Sequence, residues 1–287
     1  MIVNPLSGGA TPAKGRRRAE LAAAVLTQSG EEADVFVTER RGHARELAAA
    51  AVKRGARLVI AWGGDGTVNE VGSALVFGPT ALGMVPSGSG NGLARELGVD
   101  RRPDRAIADA LRATPRAIDA GEIGGRMFFN IAGLGFDAHV AACFDRDTSG
   151  RRGLSTYARL TAREMWGYQT CTYRIGERVI SRALLVTIAN SSQFGNGARI
   201  APLARVDDGL LDLVVFEETS RLRAIATIPR LFVGGFDRVK GVSVRQIERL
   251  TIDSDRPMIF HVDGEPAQGG ATLDACVHPS ALRVAVR

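Results

Sequence analysis

The sequence predicts an α/β domain with a parallel sheet, followed by a β-rich domain. Three observations carry this reading. Over residues 1–118, short apolar runs alternate with helical patterns, which implies parallel strands with helices on the sheet faces. Beyond about residue 118, short β-branched runs bounded by Gly, Asp and Pro dominate, as in antiparallel structure. Four glycine- or threonine-bearing loops, "NPLSGG", "TERRGH", "GGDGTVN" and "PSGSGN", fall at strand ends. In parallel sheets those carboxyl ends are where ligands bind.

Each element follows from local pattern. "MIV" is a short buried strand, and 13–29 is a helix with Leu21, Val25 and Leu26 on one stripe. "EADVFVT" is a strand, 42–54 a helix, "RLVIAW" a strand and 67–77 a helix. "ALGMVP" is a strand, 90–97 a short helix and 103–113 a further helix. Strand–turn–strand punctuation marks "AIDAGEIGGRMFFNIAGLGFDAHV", and 153–167 is helical. The strands "CTYRIG", "RVISRALLVTIAN", "ARIAP", "LLDLVVFE", "RLTIDS", "MIFHVDGEP" and "LRVAV" follow, interrupted by a helical segment at 219–233. The expected domains are 1–118 and 119–287, with a cleft between them.

Composition narrows the function classes. The 287 residues are 45% hydrophobic, enough for a sizeable core. The net charge of +6 is spread evenly, with 16 Lys+Arg against 13 Asp+Glu in residues 1–120 and 21 against 18 in the rest. That excess permits contact with phosphates or acidic headgroups, but there is no basic arm. Aromatics are 6%, too few for a base-stacking platform, so nucleic acid is not an expected partner. Cys143, Cys171 and Cys276 are odd in number and far apart, which disfavours a disulfide framework and fits a reducing cytoplasm. No run approaches the roughly 18 apolar residues of a membrane span, and "MIVNPLSGG" does not read as a signal peptide. The expected location is cytoplasmic, with any membrane met from the surface. Homodimer formation is left open.

The glycines of "WGGDGTVNE" (62–70) follow a strand and precede a helix. Glycine permits close backbone approach, and successive amides at a helix N-terminus attract an anion. Asp65 cannot itself hold a phosphate, since like charges repel. It suits a divalent cation or a hydroxyl nucleophile. Thr67 caps the helix or touches a phosphate oxygen. The alternative is an ordinary strand-to-helix turn. "PSGSGNGLAREL" (86–97) has the same logic, with Ser87, Ser89 and Asn91 as small donors, or else is a capped turn. "NPLSGG" (4–9), followed by Lys14, lacks the Gly-Lys-Ser/Thr ending of an ordinary P-loop. Thr38 in "VTER" stands at a strand end, where threonine is usually a cap. Glu265 and Asp208 both sit in Asp-Gly contexts, "VDGEP" and "DDGLL", which ordinarily mark hairpin turns.

In order, "NPLSGG", "WGGDGTVNEV", "PSGSGNGLAREL", "FFNIAGLGFDAHV", "DDGLLDLVVF" and "HVDGEP" resemble the diacylglycerol kinase catalytic-domain family, which includes bacterial lipid kinases and the sphingosine and ceramide kinases. The resemblance covers essentially the whole chain. "GGDGT" alone is less specific, being shared with NAD kinases and 6-phosphofructokinases. The resemblance implies an ATP-binding α/β domain of the NAD kinase/diacylglycerol kinase type and an antiparallel β-sandwich on the lipid-acceptor side. It implies ATP contacts from Asn4, Thr38, Gly63, Gly64, Asp65, Gly66, Thr67, Val68, Asn69 and Ser89. It further implies Glu265 as proton acceptor, with Asp65 holding metal or orienting the lipid hydroxyl. Asp208, with the carbonyls of Arg205 and Leu210, would bind Mg2+. The implied partner is a lipid at a membrane surface, met at the inner face.

Two departures stand out. Many relatives carry an acid after the asparagine of the third motif, where this chain has Gly92, and the metal loop is short. Asn130 and Asp137 are candidates to face the cleft, with a turn and capped helix as the alternative; Gly133 and Gly135 read as structural. Residues 153–168 form an expected amphipathic helix, with Leu154, Tyr157, Leu160 or Thr161 and Met165 on one face. That face either packs on the β domain or meets lipid. The leading function is an ATP- and Mg2+-dependent lipid kinase. The alternatives are a soluble-substrate kinase such as NAD kinase and a non-catalytic ATP-binding regulator.

Overall fold

The computed structural model describes residues 1–147, 154–217 and 220–287. The chain divides into two compact units, Met1–Ile118 with Ser280–Arg287, and Asp119–Pro279.

In the first unit, β1 (Ile2–Val3), α1 (Pro12–Gln28), β2 (Phe36–Val37), α2 (His43–Lys53), β3 (Leu58–Gly63), α3 (Asp65–Leu75) and β4 (Ala81–Pro86) alternate. They are followed by α4 (Gly92–Glu96) and α5 (Pro103–Arg112). The four strands are parallel in the order β4-β3-β1-β2. Val3, Ile60, Trp62 and Val85 pack against Ala22 and Leu26 of α1 and Ala106, Ile107 and Ala110 of α5. Strands β3 and β4 are buried along almost their whole length, which is why they read as continuous apolar runs, whereas Val37 of β2 is exposed.

Register determines what stands at the rim. Val3 lies opposite Val37 and Trp62, and Gly63 lies opposite Pro86. The ladder continues one step further: the Asn4 amide donates to Trp62 O, Thr38 N to Val3 O and Ser87 N to Gly63 O, at 2.8–2.9 Å. The four strands therefore end level, and the four loops leave the same edge of the sheet.

The second unit contains β5 (Arg116–Ile123) from Asp119 onward, β6 (Arg126–Phe128), β7 (Ile131–Gly135), α6 (Phe136–Arg146) and α7 (Leu154–Gly167). It continues through β8 (Cys171–Ile175), β9 (Arg178–Ala189), β10 (Gln193–Gly195), β11 (Ala198–Arg199) and β12 (Leu211–Glu217). Then come α8 (Arg221–Thr227), α9 (Arg230–Val233), β13 (Val242–Ile247), β14 (Arg249–Ser254), β15 (Ile259–Val262), β16 (Glu265–Gln268) and β17 (Thr272–Val284). It is built on antiparallel pairings, β16-β15-β7-β9-β8-β14-β17 and β9-β12-β13 among them. Alternation along β12 shows how the layers form. Leu211, Leu213 and Val215 enter the sandwich interior with Phe128, Val186 and Phe260, while Val214 and Phe216 face a second core made with α6, α7 and α8.

The expected second domain ran to residue 287. The structure returns the last eight residues to the first unit, where Val284 pairs in parallel with Leu82 of β4. The expected helix at 219–233 is two helices, because Pro229 lacks the N–H a continuous helix needs. Gly153 and Thr219, the first residues of two expected helices, lie outside the described residues, as does the Leu154 side chain. Leu160 and Met165 of α7 are buried in the second core and Tyr157 packs against it, so this stripe faces protein.

Candidate active site

In the first unit, the stretch "WGGDGTVNE" is a hub from which three side chains reach three different loops. Helix α3 begins at Asp65, two residues earlier than its pattern suggests, with Gly64 as N-cap. Asp65 therefore stands in the first turn. Its two carboxylate oxygens accept the backbone N–H groups of Asn91 (2.8 Å) and Gly92 (2.7 Å), at the start of α4. Thr67 accepts a hydrogen bond from Asn4 Nδ2 at 2.9 Å, and Asn4 Oδ1 accepts from Leu6 N. Glu70 accepts the amides of Gly42 and Ala44 at the start of α2, at 2.7 and 3.1 Å. A fourth tie closes the ring, where the hydroxyls of Ser7 and Ser87 meet at 2.6 Å and Arg18 donates to Ser7 Oγ at 2.8 Å.

The glycines make this closeness geometrically feasible. A Cβ on Gly88 would stand 2.7 Å from Gly64 Cα, backbone against backbone, and one on Gly8 would stand 2.1 Å from Ser87 O. No side-chain rotation relieves either contact. Gly88→Ala is expected to lower stability by about 1–3 kcal/mol, the usual range for overpacking a fitted site. Urea unfolding measures it, and an unchanged midpoint would show that the loops give way freely.

The sequence-selected residues thus divide. Asn4 and Asp65 are engaged in joining loops, and Val68 is a core side chain offering only its backbone. Ser73 Oγ donates to Asn69 Oδ1. Ser89 is exposed at its loop tip, and Thr38 is buried at the edge of a hollow of about 500 Å³ lined by Pro5, Leu6, Gly15 and Val37. Burial raises the Asp65 carboxyl above its usual range, opposed by the amides of Gly92 and Asn91. Ser7 and Arg18 carry no role in the sequence reading, and Glu70 enters it only as the last residue of "WGGDGTVNE"; their partners lie 11–80 residues away, beyond any local pattern.

In the second unit, Glu265 opens β16, opposite Val262 of β15. Asp263 and Gly264 make the two-residue turn with φ of +49° and +86°, the left-handed pair of a type I′ hairpin. Asp263 anchors it. Its carboxylate accepts N–H groups from Phe129, Asn130 and Ile131 at 2.9–3.0 Å. His261 is buried; its Nδ1 accepts Gly264 N at 3.3 Å, so Nε2 carries the proton and donates to Asp137 Oδ2 at 3.3 Å. Gly133 leaves room for that pair, since a Cβ there would fall 2.1 Å from Asp137 Oδ2.

Asn130 and Asp137, candidates for an open face, are buried and structurally engaged. Asn130 donates to Gln193 O and accepts from Ser191, while Asp137 also accepts Ala138 N in the first turn of α6. Asp208 Oδ1 accepts Leu210 N at 3.1 Å, and Gly209 N donates to the buried Asp119 at 2.7 Å. Burial, then Asp208, raises the neighbouring Asp212 carboxyl. Asp208 Oδ2 accepts Gln246 Nε2 at 3.4 Å, so both carboxylate oxygens meet N–H donors; carboxylate and carbonyl oxygens are nonetheless the ligand type a hard cation such as Mg2+ takes. The contact found for Leu210 is its N–H.

Residues 1–123 match the diacylglycerol kinase catalytic domain, and residues 130–286 match the YegS C-terminal NAD kinase beta sandwich-like domain. A Pseudomonas fluorescens protein named "Probable lipid kinase YegS-like" is 34% identical over 89% of this chain and 86% of its own. The chain belongs to the diacylglycerol kinase catalytic-domain family. Within this diacylglycerol kinase family it falls with the YegS-like members; a Chromohalobacter salexigens protein of the same name is 32% identical over 84% of the chain and 80% of its own. A diacylglycerol kinase structure from Bacillus anthracis strain Sterne shares the fold, with a TM-score of 0.72 at 18% identity, covering 100% of this chain and 95% of that one. Membership makes the chain an ATP-dependent lipid kinase of the diacylglycerol kinase type. Among the described residues, no helix is long and apolar enough to cross a membrane.

Proposed function

We propose that this diacylglycerol kinase family member transfers the γ-phosphoryl group of ATP to a hydroxyl of a membrane lipid, a diacylglycerol or a sphingoid base. The observation that carries the ATP half is the tying of four strand-end loops around the N-terminus of α3. Glycine backbones packed at a helix start offer N–H groups to phosphate oxygens at little reorganisation cost. Thr38, Gly63 to Asn69 and Ser89 line the nucleotide, with the hollow beside Thr38 on its flank.

Glu265 is the proposed proton acceptor. As the lipid oxygen bonds to the γ-phosphorus, the bond to the ADP oxygen breaks and the hydroxyl proton passes to the Glu265 carboxylate. Asp208, with backbone oxygens of Arg205 and Leu210, is the proposed holder of Mg2+. Bound magnesium ions supply charge neutralisation for phosphoryl transfer. Asp65 serves by fixing the geometry of two phosphate loops, since its carboxylate accepts the amides of Asn91 and Gly92 at the start of α4.

The test is a labelled-ATP assay with Mg2+ and mixed micelles of diacylglycerol, sphingosine or total lipid extract, alongside NAD. Labelled phospholipid is the expected product. Label in NAD alone would assign a soluble-substrate kinase, and ATP binding without any transfer would assign a regulator.

A further inference from the structure

We infer that the α8–α9 segment of the second unit is a docking surface for an anionic lipid bilayer; this rests on the lipid-kinase reading and says where the enzyme meets its substrate's phase. The segment is apolar on two sides. Its inner side is accounted for, because Ala224 and Phe236 are buried in the second core, Leu231 packs against it, and the Phe236 ring meets Phe216 edge-on at 5.8 Å. Its outer side is also apolar. Leu222 is 70% exposed, Phe232 52% and Val233 80%, with Ile225 and Ile228 more than one-third exposed. A surface helix normally turns a polar face to water, and several exposed large apolar side chains within one short segment mark an interaction site.

Charge selects the occupant. Residues 220–240 hold five basic residues and one acidic residue, a net +4 within a chain of net +6. Arg223, Arg230, Arg238 and Lys240 are exposed there. A short apolar face set among arginines is the composition of a segment lying in the headgroup region of a negatively charged bilayer.

Arg221 draws a further side chain into the region. Its guanidinium donates to the carbonyls of Met165, Trp166 and Tyr168, which satisfies the carboxyl end of α7 and joins it to the start of α8. Trp166 is 59% exposed at that junction, and tryptophan favours the membrane–water boundary. The apolar stripe of α7 that sequence offered for this task is used internally, so the lipid-facing role falls to the neighbouring helices.

The full-length protein without ATP is mixed with vesicles of phosphatidylcholine alone or with added phosphatidylglycerol, and pelleted binding is measured. Binding is expected to be about tenfold stronger with phosphatidylglycerol and to weaken with salt. It should fall about tenfold in the Phe232→Ser/Val233→Ser variant and in Arg223→Gln/Arg230→Gln. Both variants should keep the wild-type thermal midpoint and phosphorylate a water-soluble short-chain lipid normally. Wild-type tryptophan emission should shift to the blue on vesicle binding, through Trp166, since Trp62 is already buried; this readout needs no variant. Vesicle binding equal in wild type and both variants overturns the proposal. So does a wild-type dimer that Phe232→Ser/Val233→Ser dissociates without any vesicle binding, which gives the surface to a second copy. Absent short-chain lipid phosphorylation in the wild type, with vesicle binding intact, fails the kinase reading and leaves the docking surface standing.

Discussion

Glu265→Gln is expected to lower kcat by about 10²–10⁴, the usual contribution of a positioned general base, while thermal stability and ATP affinity stay at wild-type values. Glutamine keeps the shape and removes the proton-accepting charge. The separation of effects follows from how the hairpin is held. Its turn is fixed by three N–H donors on the Asp263 carboxylate and by Gly264 N on the His261 ring. Strand pairing to β15 fixes the Glu265 backbone. The Gln variant leaves all of these bonds in place. Single-turnover transfer to micellar diacylglycerol, paired with nucleotide titration and a melting curve, measures the three quantities. Wild-type kcat in Glu265→Gln would remove the proton-acceptor assignment. A fall in kcat matched by lost nucleotide binding or a lower melting point would make Glu265 a structural residue.

That hairpin also shows how far sequence alone reaches. Asp-Gly between apolar runs is a local signal, because only those residue types readily take two successive positive φ values, and the turn is legible from it. Asp263 is legible as a turn residue but not as an anchor, because its three donors are 132–134 residues distant. The buried Asp137–His261 pair is hidden for the same reason, at a separation of 124. In the first unit, strand-end loops were legible because a parallel strand buried on both faces is a continuous apolar run. Their mutual ties were not, since Asn4, Asp65 and Glu70 look like polar loop residues until the register is known. Strand β13 is not legible in the sequence for a different reason. Among the described residues it pairs only with β12, and its Val244, Arg245 and Gln246 are exposed, so no buried face imposes a clean alternation. Strand β17 is legible only from Leu282 onward, because Pro279 and Ser280, the latter at φ +54°, interrupt the pattern within one continuous strand.

Asp65→Ala is expected to abolish transfer and also to lower stability by about 2–4 kcal/mol, through two amides left without an acceptor. The second effect separates Asp65 from Glu265. A residue that served only the reaction could be removed with the fold intact, whereas Asp65 carries the bonds to Asn91 N and Gly92 N that join α3 to the α4 loop. Asp65→Asn adds a pH test. Burial raises the Asp65 carboxyl, so the folded state favours its protonated form more than the unfolded chain does. Stability from this group is therefore present below the ordinary carboxyl value of 3.8 and is lost as pH rises through the folded-state value. Asparagine does not ionise, so the stability of wild type relative to Asp65→Asn should decline over that upward range and level off above it. Asparagine also meets one of the two amides with an N–H instead of an oxygen, so it should not restore wild-type loop geometry. Nucleotide affinity should fall in both variants, because the loops they release are those packed at Gly64 and Gly88. Urea unfolding across the pH range measures the slope, and calorimetric ATP titration measures the loops. A stability difference that grows with pH, or an Ala variant as stable as wild type, would return Asp65 to a direct role at the reacting groups.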